Sequence, residues 1–334
     1  MKSILLTSTA LVAFAGAAQA AGHSNISFGG EASAEYNSET GYSTSAELTA
    51  SMSAELDNGL TATAEITFDP VDNEVSYGSI ALSSDNASLT FGTGLDSAVF
   101  TAVGDDYAIG ELGEEGVDGI VGSYTMGATT VTVSAPLTEG ATGSDSDALE
   151  VGVNTSAAGW DLGLGLTGAG EYAATAEGTV AGATLNFGFA SNDEWDAGVS
   201  YPVGPVTLSA STDEAEAWTV GAEFDGGDYQ VGFEYNADES WEVTADYAAG
   251  PLAIGAALDS DETLTLGATY DVGSGLTVGA GLEGDDTYAF ANYDLGGGAS
   301  AYVNYSDAAG ELSEVGPSER DIDAGTTVGV SFEF

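Results

Sequence analysis

The sequence has almost no basic residues. Its 334 residues include 54 Asp and Glu but only 2 Lys and Arg, which gives a formal net charge of -52. Nucleic-acid binding requires basic side chains that neutralise phosphates, and adsorption to anionic lipid headgroups requires the same charge, so both functions are excluded. The charge does not indicate disorder, because 43% of the residues are hydrophobic and only 6 are Pro.

Cysteine is absent and histidine nearly so. Without Cys the chain has no disulfide framework, no thiolate nucleophile and no zinc-thiolate site. The single His, His23, belongs to no cluster, so a His-dependent hydrolase or protease is not expected. Carboxylate pairs arise by chance among 54 acids and do not by themselves indicate a glycosidase. We therefore predict no catalytic residue and no enzyme activity.

Long apolar runs are missing after residue 20, because Gly and acids interrupt every stretch well before the ~18 residues of a transmembrane helix. The first residues differ. Met1-Lys2 is a short basic start, the stretch from Ile4 to Ala18 is apolar, and Ala18-Gln19-Ala20 has the form of a signal-peptidase site. We interpret 1–20 as a cleaved signal peptide and 21–334 as the exported chain, whose net charge is 1 - 54 = -53.

The exported chain shows a two-residue alternation of apolar and polar side chains. In the segment 241–247, for example, Trp241 and Val243 alternate with Glu242 and Thr244. The same pattern occurs at 160–167, 218–224, 229–235 and 276–282. Each segment therefore predicts a strand with one apolar and one polar face. Turn residues such as Asp57-Asn58-Gly59 separate the strands, and hairpins recur about every 23 residues after Trp160. An all-antiparallel meander in one unit is predicted.

The position of the aromatic residues separates two architectures for such a meander. A soluble sandwich buries its apolar faces against each other, whereas a membrane barrel turns them to lipid and carries aromatics at both interfaces. Here the aromatics stand in pairs at the strand ends, with smaller residues between them: Trp195 with Tyr201, Trp218 with Phe224, Tyr229 with Tyr235, and Trp241 with Tyr247. This favours the barrel.

The last strand gives the most specific signal. The segment Thr327 to Phe334 places Val328, Val330, Phe332 and Phe334 on one face and ends on an aromatic residue. It resembles the signal that outer-membrane barrels present to their assembly machinery, with Thr327, Gly329, Phe332 and Phe334 in the matching positions. Together with the signal peptide, the acidic meander and the segment Tyr293 to Ser300, the mature chain resembles a Gram-negative general-diffusion porin of the trimeric type.

This resemblance implies a fold, a location and partners. The fold is a transmembrane antiparallel up-and-down β-barrel of 16 strands, with the third external loop folded inward as a constriction. The location is the outer membrane, and the expected partners are the lipid bilayer, lipopolysaccharide, the assembly machinery and two further copies in a homotrimer. Our own count of ten short turns gives 22 strands. We therefore expect an all-β barrel of 16 strands by resemblance and up to 22 by turn count.

The constriction loop corresponds in order to 94–119, where the alternation stops after the fifth strand. Within it Leu95, Val99 and Val103 have helical spacing, which predicts a short helix with Asp96 in its first turn, and Val99, Phe100 and Ile109 are candidate anchors to a wall. Seven acids and no base occupy the loop: Asp96, Asp105, Asp106, Glu111, Glu114, Glu115 and Asp118. The alternative is an ordinary solvated loop.

The resemblance also implies a cluster of Arg and Lys opposite this loop, which the chain cannot build. Arg320 is the only base after residue 20 and stands in the segment 315–323. The strand positions that we predict to line the pore instead carry acids: Glu31, Glu35, Glu47, Glu55, Glu65, Glu223, Glu234, Glu242 and Asp246. An acidic pore attracts cations and repels anions, so we predict a cation-selective channel for small hydrophilic solutes and ions.

Two other functions stay open at this point: a channel specific for one solute, and a non-conducting acidic surface protein. No cofactor is predicted, with one exception. Clustered carboxylates attract hard cations, so calcium at Asp105, Asp106, Glu114 and Glu115 is a hypothesis, although no EF-hand pattern is present.

Overall fold

The computed structural model describes residues 24–71, 74–104, 117–136, 149–308, 310–312 and 320–334. The predicted signal peptide 1–20 lies outside these ranges. No helix within them is both long and apolar enough to cross a membrane.

Strands joined by turns make up nearly all of the described chain. The strands and the single helix of the described residues are, in order, β1 (Ser24–Asn37), β2 (Gly41–Glu55), β3 (Thr61–Asp69), β4 (Glu74–Ser83), β5 (Ala87–Leu95), α1 (Ala98–Val103), β6 (Val117–Met126), β7 (Thr129–Pro136), β8 (Glu150–Ala157), β9 (Trp160–Thr167), β10 (Tyr172–Val180), β11 (Ala183–Ala190), β12 (Trp195–Val203), β13 (Val206–Asp213), β14 (Trp218–Asp225), β15 (Tyr229–Asn236), β16 (Trp241–Ala249), β17 (Leu252–Asp259), β18 (Leu264–Gly273), β19 (Leu276–Glu283), β20 (Asp286–Gly296), β21 (Ala299–Ser306), β22 (Gly310–Leu312), β23 (Arg320–Ile322) and β24 (Gly325–Glu333).

Twenty-two of these strands form one sheet, and β22 pairs with β23 in a separate hairpin. The pairing is antiparallel between sequence neighbours. The first strand also pairs with the last, since Glu31 lies opposite Glu333 and Asn37 lies opposite Thr327. This is the topology of an all-β, up-and-down antiparallel barrel. The strand number equals the 22 expected from the turn count rather than the 16 expected from the resemblance.

The chain divides into two compact units. The first comprises Met1–Gly29, Leu48–Val199 and Thr212–Ala215, and the second comprises Gly30–Glu47, Ser200–Ser211 and Glu216–Phe334. The first unit contains α1, and the second contains the β22–β23 hairpin.

The hairpins after β8 have a constant length. At one end of the strands, residues with positive φ recur every 23 positions: Gly170, Asp193, Glu216, Glu239 and Glu262. At the other end the same spacing separates Ala158, Ala181, Gly204, Gly227, Gly250 and Gly273. The left-handed conformation is unfavourable for residues with a Cβ, so its repetition at acids such as Glu216 and Glu239 reflects a fixed turn geometry rather than residue preference. The recurrence predicted from the turns is confirmed.

Each strand has the two faces that the alternation predicts. We call polar face the one carrying Ser51, Glu65, Ser88, Ser134, Asn154 and Thr175 in the first unit, and Glu35, Glu223, Glu242, Thr277 and Asn304 in the second. The opposite, apolar face exposes large hydrophobic side chains, among them Leu89, Phe91, Leu164, Phe187, Trp218, Val243 and Val330.

The aromatic pairs lie on the apolar face, at the strand ends as predicted. In the hairpin of β14 and β15, Trp218 packs against Tyr235 with ring centroids 5.7 Å apart, and Phe224 packs against Tyr229 at 5.5 Å. Such offset or tilted ring pairs stabilise neighbouring strands beyond simple burial. The buried hydrophobic clusters lie instead on the polar face, one around Val99 of α1 and one around Ile322.

Candidate functional site

Helix α1 follows β5 directly and begins at Ser97. The Ser97 hydroxyl accepts a hydrogen bond from the N–H of Phe100 at 3.1 Å, which satisfies one of the free amides of the first turn. Gly104, with φ 79°, ends the helix. The predicted helix is confirmed at Val99 and Val103, but Asp96 is not in its first turn. The cap at Ser97 sets the start later, so Asp96 precedes the helix and Leu95 belongs to β5.

The helix packs against the polar face of β8, β9 and β10, and glycines make its close approach to the sheet feasible. A Cβ on Gly152 would overlap the carbonyl of Ala98, and a Cβ on Gly163 would overlap the carbonyl of Ala102. The side chain of Val99, only 1% exposed, lies over Gly165. Three glycines thus form a seat for α1 that no other residue type would leave open.

Polar groups fix both ends of the helix to the sheet. The N–H of Ala98 donates to Ser134 Oγ at 2.8 Å, and that hydroxyl donates to Glu150 Oε2 at 3.0 Å. The same carboxylate oxygen accepts from the N–H of Val99 at 3.3 Å. At the other end Asn154 Nδ2 donates to the carbonyl of Ala102 at 2.9 Å. The predicted anchoring of this loop to a wall is therefore observed at Val99; Ile109 lies outside the described residues.

The loop is shorter than the predicted 94–119. The bulge between Gly92 and Leu95 interrupts the alternation, yet β5 continues to Leu95, which pairs with Val117 at the start of β6. Of the seven predicted constriction acids, Asp105, Asp106, Glu111, Glu114 and Glu115 lie outside the described residues. Asp96 is exposed beside α1. Asp118 stands two positions before Ile120 in β6, on the same side of the strand, and its Oδ1 accepts from the N–H of Gly94 at 3.3 Å.

The nine acids predicted on strands all lie on the polar face: Glu31, Glu35, Glu47, Glu55, Glu65, Glu223, Glu234, Glu242 and Asp246. All except Glu35 and Asp246 are exposed. Two of them meet across neighbouring strands, because Glu234 lies directly opposite Glu242. Like charges in this arrangement repel, and no cation offsets them in the sequence of either strand. A face built in this way holds a high density of negative charge.

Glu35 accepts hydrogen bonds from side chains on two other strands. Its Oε1 accepts from Ser43 Oγ at 2.9 Å, and its Oε2 accepts from the Tyr302 hydroxyl at 2.8 Å. Tyr302 in turn lies over Gly329 of β24. The contact links β1, β21 and β24 on the polar face, so Glu35 also has a structural role.

Several polar-face residues were not predicted as site residues. A cavity of about 470 Å³ lies beside the carboxyl end of α1 and includes Asn154, Asp161, Glu177 and Asn186 in its lining. Asp161 and Glu177 are direct cross-strand neighbours. Asp161 could have been found, since it alternates with Trp160 and Leu162. Glu177 is surrounded by small residues that conceal the alternation.

Three aromatic residues also point to the polar face. Tyr288 lies over Gly281, Phe290 over Gly279, and Tyr302 over Gly329. In each case the glycine is the direct neighbour on the adjoining strand. The glycine leaves the space that the ring fills.

The described residues contain no group of three or more His, Cys, Asp or Glu arranged to hold a metal ion. The predicted calcium ligands Asp105, Asp106, Glu114 and Glu115 are not among them.

The residues of the C-terminal pattern have two environments. Thr327 is buried and its Oγ1 accepts from Asn37 Nδ2 at 2.8 Å, and Gly329 lies beneath Tyr302. Phe332 and Phe334 are each 44% exposed on the apolar face. The backbones of Phe334 and Gly30 exchange two hydrogen bonds of 3.0 Å, so the last residue belongs to the junction between the first and last strands.

A closed antiparallel meander with an apolar outer band, a polar opposite face and a short helix packed on that polar face defines the class of outer-membrane channel barrels. The family model of Gram-negative porins matches residues 7–311, and the chain belongs to this family. Among solved structures, OmpT of Vibrio cholerae is 10% identical, with 95% of this chain and all of that chain covered and a TM-score of 0.34. A mutant porin of Rhodobacter blastica is 15% identical, covering 93% and 100%, with a TM-score of 0.31. No curated protein sequence matches.

Membership of this family places the protein in the outer membrane as a passive diffusion channel without enzymatic activity. The family model covers most of residues 21–334, including α1 and its seat on the sheet.

Proposed function

We propose that the channel is cation-selective and that the polar face lines its water-filled path. The distribution of charge carries this proposal. The nine strand acids lie on the polar face, whereas residues 21–334 contain a single base, Arg320. In a membrane barrel the apolar face meets lipid and the polar face lines the interior. Negative groups along a pore raise the local concentration of cations and lower that of anions.

Helix α1 supports the proposal because it narrows the space over the same polar face. Ala102 and Val103 at its carboxyl end line the same cavity as Asp161 and Glu177. A permeating cation would therefore meet the strand carboxylates where α1 narrows the path. Tyr288 and Phe290 do not form an aromatic ladder open to a sugar, since Ile322 covers them. This favours a general channel over a solute-specific one.

Reversal potentials across a planar bilayer test the proposal. In a tenfold KCl gradient we expect a cation-to-anion permeability ratio of about 5 or more near 0.1 M, falling toward 1 near 1 M because the Debye length shortens from about 10 to about 3 Å. Anion preference would contradict the selectivity, and the absence of step currents would contradict the channel itself. Neutralising Glu223, Glu234 and Glu242 together to Gln should lower the ratio, whereas the matched changes Asp228→Asn, Asp238→Asn and Asp261→Asn in turns should lower it less.

We further propose a homotrimer, supported by the trimer form in which OmpT of Vibrio cholerae has been solved. Light scattering of the purified protein in detergent should give a protein mass of three chains per particle, and a mass of one chain would contradict this assembly. In gel electrophoresis, a band that changes its mobility when the sample is heated would mark the folded barrel.

Three partners and one ion remain predictions. The bilayer and lipopolysaccharide would contact the apolar face, and the assembly machinery would read Phe332 and Phe334, which are exposed there. Deleting Phe334 should then lower the amount of folded protein in the outer membrane. Calcium at Asp105, Asp106, Glu114 and Glu115 would raise the melting temperature in a way that a chelator reverses, and a melting temperature unchanged by chelator would argue against it.

A further inference from the structure

The polar face of the second unit carries a buried apolar cluster. Ile322 of β23 is 1% exposed, and it packs with Tyr288 and Phe290 of β20, which are 2% and 6% exposed, while Ala308 packs at the margin. These two rings are on the polar face, away from the apolar band. The residue that covers them comes from the connection between β21 and β24. The chain at Ile322 therefore lies over the polar face.

The sheet is shaped to receive this cluster. Tyr288 and Phe290 lie over Gly281 and Gly279 of β19, where any Cβ would overlap the rings. Because these two successive polar-face positions are glycines, the rings can approach the backbone of β19 closely. This leaves room above them for Ile322, as the glycines beneath α1 leave room for Val99.

Both ends of the connection are fixed by hydrogen bonds. At its start, Ser306 Oγ donates to the carbonyl of Ala308 at 2.7 Å, and Asp307 Oδ1 accepts from the N–H of Thr287 at 2.5 Å. At its end, the buried Asn37 Nδ2 donates to the carbonyl of Ala324 at 2.9 Å. These contacts hold the two ends of the connection next to β20 and β1.

The β22–β23 hairpin contains a basic residue, which is unusual in this sequence. Arg320, the only base of residues 21–334, stands opposite Leu312 in the hairpin and two positions before Ile322. Two residues of a strand span about 7 Å, so the seat of Ile322 fixes where the backbone of Arg320 lies. Residues 21–334 thus carry their one Lys or Arg on an element seated on the polar face.

We infer that the β22–β23 hairpin is a second inward element of the pore, seated by Ile322 on Tyr288 and Phe290, which narrows the path and reduces its cation selectivity through Arg320. This inference rests on the proposed function, because it requires the polar face to line a conducting path. It adds a second determinant of size and charge selection to α1.

The first experiment changes the seat without changing charge. Ile322→Asn places an amide against the two rings and should release the hairpin, whereas the matched Ile322→Val keeps the apolar contact. We expect single-channel conductance to rise by about half or more in Ile322→Asn and to stay at the wild-type level in Ile322→Val, because a wider path conducts better. Ile322 belongs to the connection and not to the 22-stranded sheet, so the barrel should still form. Its band in gel electrophoresis should still shift when the sample is heated.

The second experiment removes the positive charge of Arg320. Arg320→Gln should raise the cation-to-anion permeability ratio by about half or more in the wild-type background, since a positive charge inside a pore repels cations. In the Ile322→Asn background the same change should have a smaller effect, because the released hairpin no longer holds residue 320 at the polar face.

A labelling experiment does not depend on conductance. The chain has no Cys, so single cysteines report one position each. Ile322→Cys should react with a thiol reagent at least about tenfold more slowly than Asp323→Cys, whose position is exposed in the same connection. Equal labelling rates, or a conducting wild type whose Ile322→Asn and Arg320→Gln variants are unchanged, would overturn the hairpin's role alone. A wild type that folds but forms no channel would overturn the proposed function.

Discussion

The hydroxyl of Ser134 joins the carboxylate of Glu150 to the first turn of α1. It accepts from the N–H of Ala98 at 2.8 Å and donates to Glu150 Oε2 at 3.0 Å. Two adjacent strands thus hold the helix through one side-chain pair. Because the contact is partly buried, losing the hydroxyl leaves both an amide and a carboxylate without that partner.

Ser134→Ala should therefore loosen the loop that begins with α1. We expect a loss of about 1–3 kcal/mol in the stability of this contact, which would appear as greater current noise and higher mean conductance. Ser88→Ala is the control, since its hydroxyl pairs with Ser123 at 2.7 Å on the same face. Equal noise in the two variants would contradict an anchoring role for Ser134.

Gly152→Ala tests the seat of the helix. The added Cβ would overlap the carbonyl of Ala98, so α1 must move or the strand must bend. Overpacking of this kind typically costs about 1–3 kcal/mol, and we expect a lower melting temperature together with altered conductance. Gly122→Ala, whose Cβ would make an ordinary contact of 3.6 Å with the Leu89 side chain, should change neither.

The pair Glu234 and Glu242 predicts that one substitution will act in opposite directions on stability and selectivity. Glu242→Gln removes the repulsion between two carboxylates that lie directly opposite each other, which should stabilise the fold by about 0.2–1 kcal/mol. It should also lower cation selectivity. Glu223→Gln removes the same charge opposite Gly232, so its stability should change less while its selectivity falls similarly. Melting curves and reversal potentials measure the two effects.

Asp307 predicts a pH dependence at the start of the last connection. The N–H and then the hydroxyl of Thr287 donate to its carboxylate and hold its pKa below the ordinary value of 3.8. A lowered pKa means that the charged form is bound more tightly in the folded state, so the stabilisation is present above pH 3.8 and is lost as the pH falls through the lower, folded value.

Asp307→Asn should remove this part of the acid sensitivity. Thermal melting at about pH 6 and about pH 2.5 measures the difference, and the wild type should lose more stability on acidification than the variant. Asp285→Asn, in the neighbouring turn, is the control. If both variants match the wild type at both pH values, the Thr287 contact does not contribute.

The faces of the strands could be predicted from the sequence because alternation is a local property. Trp241 and Glu242 must point in opposite directions in any strand, and turn residues such as Asn58-Gly59 mark where strands end. The count of ten turns therefore gave the strand number more accurately than the family resemblance. The start of α1 was predicted too early in the chain, because the hydroxyl of Ser97 caps the helix and leaves Asp96 before it.

Contacts between distant segments could not be predicted in the same way. The seat of Val99 on Gly165 and that of Ile322 on Tyr288 and Phe290 depend on which strands are neighbours across many residues. Tyr288 alternates with Ala289 and was open to either face. Its position opposite Gly281, whose missing Cβ leaves space, accommodates the ring on the polar side.

The constant 23-residue spacing of the turns from Ala158 to Gly273 makes each hairpin an interchangeable module. Adding or removing one such module would leave the register of all others intact while changing the circumference of the sheet by two strands. Duplication of a single DNA segment would thus be enough to widen the barrel in one step. The diameter of the channel can therefore change while the sequence of every existing strand stays the same.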